Sequence, residues 1–389
     1  MSVIPSPVRD TRLDVFRALA LITIYVNHVP GTVYENLTHK NAGFSDAAEA
    51  FVLISGIAAG FAYGTKFRPG NRILTIIKAL RRAGVLYVAH IMTTFATLAI
   101  FSGGAIWFAK PDLMERINIG LFMDNPTKAL LGLATLGHQL GYNNILSMYA
   151  GVLLLLPLFL VLLRSGLSAA LAVSGAIWLG AGLFAVAPPN YPLGGIWFLN
   201  PLSWQFLFVI GLAAAIHIKR GGNIPFVPGL AIVAGLYVAV SFLWVRIPLW
   251  GIDVSMGLSA VLTGFDKTYL SLPRLLHVLA IGYLIAAIPQ LSGLARTSHS
   301  HPLAILGRHS LPVFIGGTLL AMVAQVLKQA APQSFLFDTL LIAAGIALQF
   351  ALAFWLEWLR TLRSAPVAAS VAASPTHMPV IRPAPAKLR

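Results

Sequence analysis

The sequence predicts an all-α fold: a polytopic membrane protein of about ten transmembrane helices, with both termini cytoplasmic. Three observations lead there. Of 389 residues, 58% are hydrophobic and only 10% are charged, against about 25% charged in soluble domains. Apolar runs near the bilayer-crossing length of about 20 residues recur from end to end. The basic residues sort between alternate loops. A soluble chain has no means of covering so much apolar surface. The net charge of +15 follows from the loop sorting, and no nucleic-acid partner is expected. The absence of cysteine excludes disulfides and thiolate chemistry.

The expected spans are 13–31, 46–64, 80–102, 145–163, 168–186, 201–218, 227–245, 272–289, 309–328 and 335–358. The first carries charges inside it and lacks a small-x-small cleavage site, so it reads as a retained helix. The shorter apolar stretches 130–141 and 251–264 are candidates for re-entrant pieces. With the N-terminus inside, 18 Lys and Arg fall in cytoplasmic segments and 8 in outer ones, as the positive-inside rule requires. Glu35, Asp112, Glu115, Asp124, Asp253, Asp266 and Asp338 fall outside. Residues 1–363 read as one integral membrane domain. Residues 364–389, rich in Ala and Pro, read as a disordered cytoplasmic tail. No internal repeat stands out.

The first span carries the most informative pattern. Arg17 and His28 are eleven residues apart, about three helical turns, so they share one face at a separation of roughly 16 Å along the axis. Asp14 lies one turn from Arg17. Ionisable groups at membrane depth are expensive and usually face a cavity or the bundle interior. Arginine grips phosphate or carboxylate, and histidine takes a proton from a hydroxyl near neutral pH. The pair therefore suggests a reaction path across a bilayer, with the Arg17 end inside and the His28 end outside. An Asp14–Arg17 ion pair and an interhelical histidine are the structural alternatives.

Further candidates cluster at the two ends. At the outer end Asp46 and Glu49 open the second span one turn apart, at the level of His28. A carboxylate there would orient the imidazole, although Asp46 also reads as a helix cap. Lys267, Arg274 and His277 stand at the outer mouth of the eighth span as acceptor-binding candidates or interfacial anchors. Asn200 and Gln205 are weaker acceptor candidates. Trp197 and Trp204 suit an interfacial belt, and Tyr142, Asn143 and Asn144 stand at the entrance of the fourth span. At the inner end Arg81, Arg82, Arg308 and His309 form a basic face suited to the phosphates of an acyl carrier, with ordinary cytoplasmic flanking charge as the structural alternative. No metal-ligand spacing, Walker loop, dinucleotide fingerprint or Gly-x-Ser-x-Gly elbow is present.

Two motifs carry a family resemblance: Arg12-Leu-Asp14-Val-Phe-Arg17 through Asn27-His28-Val-Pro-Gly31, and Gly43-Phe-Ser-Asp46-Ala-Ala-Glu49 through Ser55-Gly56. They resemble the OpgC-type proteins, relatives of the acyltransferase-3 superfamily of integral membrane enzymes. The blocks around Trp197–Gln205, Asp266–His277 and Leu306–Phe314 are similar to later parts of the same family. The resemblance implies a multi-pass protein of the bacterial inner (cytoplasmic) membrane that succinylates periplasmic glucans. Succinyl-CoA would be the co-substrate, with no bound cofactor and no metal. It also implies that Arg17 and His28 are essential. The expected reaction is O-acyl transfer, with His28 as base, Glu49 or Asp46 orienting it, and Arg17 holding the donor. The rival reading is a sugar or lipid exporter that uses the same charges as a proton relay.

Overall fold

The computed structural model describes residues 10–364, apart from positions 248 and 333. The expected tail beyond Ser364 lies outside the described residues. Twelve α-helices of seven or more residues organise the described part of the chain. They are α1 (Thr11–Asn27), α2 (Ala47–Ala62), α3 (Arg72–Trp107), α4 (Pro126–Ala134), α5 (Asn144–Leu162) and α6 (Leu167–Leu183). They continue as α7 (Pro201–Lys219), α8 (Pro228–Arg246), α9 (Leu272–Ala287), α10 (Pro302–Arg308), α11 (Ser310–Ala330) and α12 (Phe335–Ser364). Among the described residues there is no strand, only an isolated bridge between Pro189 and Ile196.

Local chemistry sets the ends of these helices. The Asp10 side chain caps α1 through the Arg12 N–H. Asp46 and Glu49 close a reciprocal capping box on α2. Proline stands at the first or second position of α4, α7, α8, α9 and α10, where its missing N–H costs nothing. After α1, Pro30 and Gly31 turn the chain away.

Each of the ten expected spans coincides with one helix, but they differ in reach. Among the described residues seven helices are long and apolar enough to cross a membrane. The other three, α1, α6 and α9, have 17, 17 and 16 residues. At 1.5 Å per residue each rises about 25 Å, short of a hydrocarbon layer of about 30 Å. Length and composition alone thus mark seven of these ten helices as crossing helices among the described residues. In the first stretch of expected re-entry, α4 has nine residues. The second holds a single four-residue turn, Ala260–Thr263. Neither crosses the bundle.

The core is assembled around α2, which packs along α7 and against α1. Gly56 and Gly60 are four residues apart on the face of α2 that meets α7. A Cβ at Gly56 would strike the Phe208 carbonyl, and one at Gly60 would strike Ala215 and the Leu212 carbonyl. Gly211 of α7 answers from the other side, where a Cβ would meet the Leu53 carbonyl. Small residues of this kind let helix backbones approach closely in a membrane. Gly56→Ala is expected to force the pair apart and destabilise the fold by about 1–3 kcal/mol. A lowered unfolding temperature in detergent would show it, and an unchanged one would refute the close approach.

The helices run back and forth, so α1 defines two ends. Arg17 marks one, together with the start of α3, the end of α2 and the α10–α11 junction. His28 marks the other, together with the starts of α2, α5, α7 and α9 and the α11–α12 turn.

Candidate functional site

At the Arg17 end the side chain is buried on α1. Its Nη1 donates to Asp14 Oδ1 at 3.2 Å and lies 3.4 Å from the Gly307 carbonyl of α10. Gly307 sits so close to α1 that a Cβ there would collide with the Asp14 carbonyl. The ion pair thus forms part of the α1–α10 joint. Beside it a cavity of about 200 Å3 opens between α1, α2, α3, α5 and α11. Arg17, Ser55, Tyr63, Arg82, Tyr149 and Ser310 supply its polar wall. Phe51, Val52, Leu86, Ile145, Leu146 and Phe314 line the rest.

The expected inner basic face divides. Arg82 lines the cavity and makes no ion pair or hydrogen bond among the described residues. Arg81, one position earlier, is exposed. Arg308 and His309 are committed elsewhere: Arg308 Nη1 meets Glu357 Oε1 at 2.5 Å and His309 Nε2 meets Glu357 Oε2 at 2.8 Å. These bonds fasten the α10–α11 junction to α12. Arg308 and His309 are therefore partners of a carboxylate rather than open anion ligands, although Ser310 beside them reaches the cavity wall.

At the His28 end a buried charge network joins α2 to α9. Glu49 is fully buried. Its Oε1 accepts from Arg274 Nε at 2.8 Å and Nη2 at 2.5 Å, while its Oε2 accepts the Asp46 N–H at 2.9 Å. Asp46 accepts the Ala48 N–H at 2.8 Å, pairs with Lys267, and lies 3.6 Å from Arg274. Two acids and two cations thus neutralise each other. Neither carboxylate bonds His28, so the expected orientation of the imidazole by Glu49 or Asp46 is not what this structure contains. The two carboxylates are held by the cations of the Lys267–Arg274 segment, which lie far off in sequence. Asp46 and Lys267 do lie within electrostatic range of the imidazole.

What holds His28 is different. Its ring stacks on Tyr142, with centroids 4.1 Å apart and planes 13° from parallel. Its backbone carbonyl accepts from Gln325 Nε2 of α11 at 2.7 Å. Lys328, one turn further along α11, donates to the Gly31 carbonyl at 3.2 Å and pairs with Asp338 at 2.7 Å. The turn is thereby pinned while the imidazole Nδ1 stays buried without a partner.

Arg17 and His28 face the bundle on one stripe of α1, as their spacing predicts, but among the described residues apolar side chains separate them. Leu21 and Ile24 lie between them on that stripe, and both are buried in the main apolar core. The cavity at Arg17 reaches as far as Val52 and Ile145 and does not include His28.

Of the acceptor candidates, Lys267, Arg274 and His277 gather near Asp46 and Glu49. His277 Nδ1 accepts the Ser45 N–H at 3.2 Å and lies 2.7 Å from Ser45 Oγ, so its ring proton sits on Nε2. Asn200 and Gln205 do not join them. Asn200 is fully buried, caps α7 through the Leu202 N–H and donates to the Val186 carbonyl. Gln205 is fully buried and saturated by Ser174 and the Leu202 carbonyl. Both are structural groups, because every polar atom they could offer a sugar is already engaged inside the protein. Trp204 is not a belt residue either. It is fully buried, and its Nε1 donates to the Lys267 carbonyl at 3.0 Å, which anchors the loop that presents Lys267.

His39 also belongs to this end, although no local pattern singles it out. Its ring lies 6.0 Å from that of His277. Burial pushes its imidazole below the usual range, with Asp46 and Arg274 near enough to act on it in opposite senses. His90 of α3 is likewise buried, bonded to the Asn143 carbonyl. Among the described residues no group of three or more His, Cys, Asp and Glu is arranged to hold a metal ion.

The fold and site define a helical membrane protein with a buried polar centre at each end of its first helix and an apolar section between them. The chain belongs to the OpgC protein family, whose profile matches residues 9–361. That membership suggests a membrane acyltransferase that modifies glucans. Comparison with curated proteins and with solved structures found no match.

Proposed function

We propose that this protein is a membrane O-acyltransferase of the bacterial inner membrane, with both termini cytoplasmic. It moves an acyl group, succinyl in the first instance, from cytoplasmic acyl-CoA to a hydroxyl of a periplasmic glucan. The observation that carries this reading is the pair of polar centres on one face of α1: one faces a cavity lined by Arg82, which makes no ion pair among the described residues, and the other holds the His28 imidazole, whose Nδ1 is buried without a hydrogen-bond partner.

In this reading the Arg17 end faces the cytoplasm, where Arg82 receives the donor's phosphates. The thioester arm is thin, with polar amides along an apolar chain. The cavity suits it, since its wall alternates Ser55 and Tyr149 with Val52, Leu86 and Leu146. To reach His28 the arm must displace the apolar section around Leu21, Ile24 and Val52, which otherwise seals the membrane against ions. His28 then takes the proton of the acceptor hydroxyl. The oxygen attacks the thioester carbonyl, the carbon–sulfur bond breaks, and the departing thiolate takes the proton back from the imidazolium. Tyr142 sets the plane of the ring throughout.

Labelled succinyl-CoA on one side of a proteoliposome and glucan on the other test the proposal. Label is expected in the glucan only when donor and acceptor are on opposite sides in the stated sense. Passage of unmodified glucan across the membrane would replace the enzyme reading with an exporter. Within the same assay Arg82→Gln is expected to raise the donor KM about tenfold, through loss of one charge-assisted contact, with kcat nearly unchanged. An unaltered KM would remove Arg82 from the donor site.

A further inference from the structure

At the His28 end Asp46, Glu49, Lys267 and Arg274 are occupied by one another, and Asn200 and Gln205 are engaged inside the protein. Next to this charge network lies a cluster of aromatic rings. Phe44 is its centre. The rings of Phe265, Trp244, Trp250 and His277 lie 4.7, 6.3, 6.3 and 6.1 Å from it. Trp250 stands edge-on to Phe265 at 5.0 Å and is 48% exposed. The cluster is tied in sequence to the charge network, because Phe44 precedes Asp46 by two residues and Phe265 precedes Lys267 by two.

Three polar atoms in and beside this cluster are buried with no hydrogen-bond partner: Trp244 Nε1, His277 Nε2 and His39 Nε2. The indole nitrogen is a donor, and so is His277 Nε2, because Nδ1 accepts from Ser45. Buried donors without acceptors are rare and costly, and each calls for a partner. Two such donors, with His39 Nε2 beside them, gathered around aromatic rings suit a ligand with many oxygen acceptors and flat C–H faces. A pyranose has both.

We propose that the Phe44–Trp244–Trp250–Phe265 cluster, with His39 and His277, is a saccharide-binding subsite. It holds a sugar unit of the acceptor beside the reacting hydroxyl. The inference rests on the glucan reading for the identity of the sugar, and it is tested without the acyl donor. Linear gluco-oligosaccharides, one α-linked and one β-linked, are titrated into the full-length protein in detergent, and binding is followed by tryptophan fluorescence and calorimetry. At least one is expected to bind. Trp250→Ala, at a half-exposed position, is expected to weaken binding about tenfold, as is Trp244→Phe, which keeps a ring but removes the N–H. Trp358→Ala, an exposed tryptophan at the opposite end, is expected to bind as the parent does.

Binding to neither sugar would overturn the subsite, as would undiminished binding by Trp250→Ala. So would quenching of Trp250 by brominated lipid that sugar does not relieve, which would make the ring an interfacial anchor. Sugar binding without acyl transfer would sink the enzyme reading and leave the subsite standing. Acyl transfer to glucan at an unchanged acceptor KM in Trp250→Ala would do the reverse.

Discussion

Replacing His28 by alanine is expected to lower acyl transfer by about 10²–10⁴-fold, the range general-base catalysis contributes, while the protein still folds and binds donor. The structure explains why folding should survive. The Gln325 bond goes to the His28 backbone carbonyl, which alanine retains. The imidazole Nδ1 has no partner to orphan. The stack on Tyr142 is lost, at a cost of about 0.5–1.5 kcal/mol. The decisive measurement is single-turnover transfer in proteoliposomes, set beside unfolding temperature and donor affinity. A variant that folds, binds donor and transfers at the parental rate would remove His28 from the chemistry. Tyr142→Phe keeps the stacked ring and is expected to stay close to the parent. Tyr142→Ala is expected to lose kcat with little change in acceptor KM, because the ring it supports is no longer held in one plane.

Much of this was legible in the order of residues. The stripe Asp14–Arg17–Leu21–Ile24–His28 follows from 3.6 residues per turn, and the structure keeps it facing the bundle. The capping box at Asp46 and Glu49 is a local pattern, as is the proline that opens α7, α8 or α9. What stayed hidden was every partner drawn from far along the chain. The sign of Glu49 invites a nearby histidine, but its true partner, Arg274, lies 225 residues away. Glu357 looks like one more polar residue on a long helix, yet it occupies both Arg308 and His309. Gln205 and Asn200 have the side chains of a sugar site, and burial turns them into internal fasteners. His39 and Gln325 carry no motif. Helical period and end chemistry are local properties, whereas charge pairing across helices depends on which faces meet.

Those hidden partners make Arg274 the residue whose loss should most damage the fold. Arg274→Met leaves the fully buried Glu49 carboxylate with the Asp46 N–H alone and places it beside a second acid. Removing one member of a buried ion pair costs about 3–5 kcal/mol, mostly from the charge left behind. A large drop in unfolding temperature, or failure to accumulate in the membrane, is expected. Glu49→Gln/Arg274→Met removes both charges at once, while the glutamine can still accept the Asp46 N–H. It is expected to recover most of the lost stability, and a thermal double-variant cycle measures that coupling. The sequence also nominates Arg274 as an acceptor ligand, and the same cycle separates the two roles. If Arg274 only binds acceptor, the single variant keeps its unfolding temperature and shows a raised acceptor KM. If it is the counter-ion that lets Glu49 exist beneath α2, stability falls in the single variant and returns in the double. The bidentate contact through Nε and Nη2 with a fully buried carboxylate favours the second outcome. Arg274→Lys should not rescue it, since an ammonium lacks that fork.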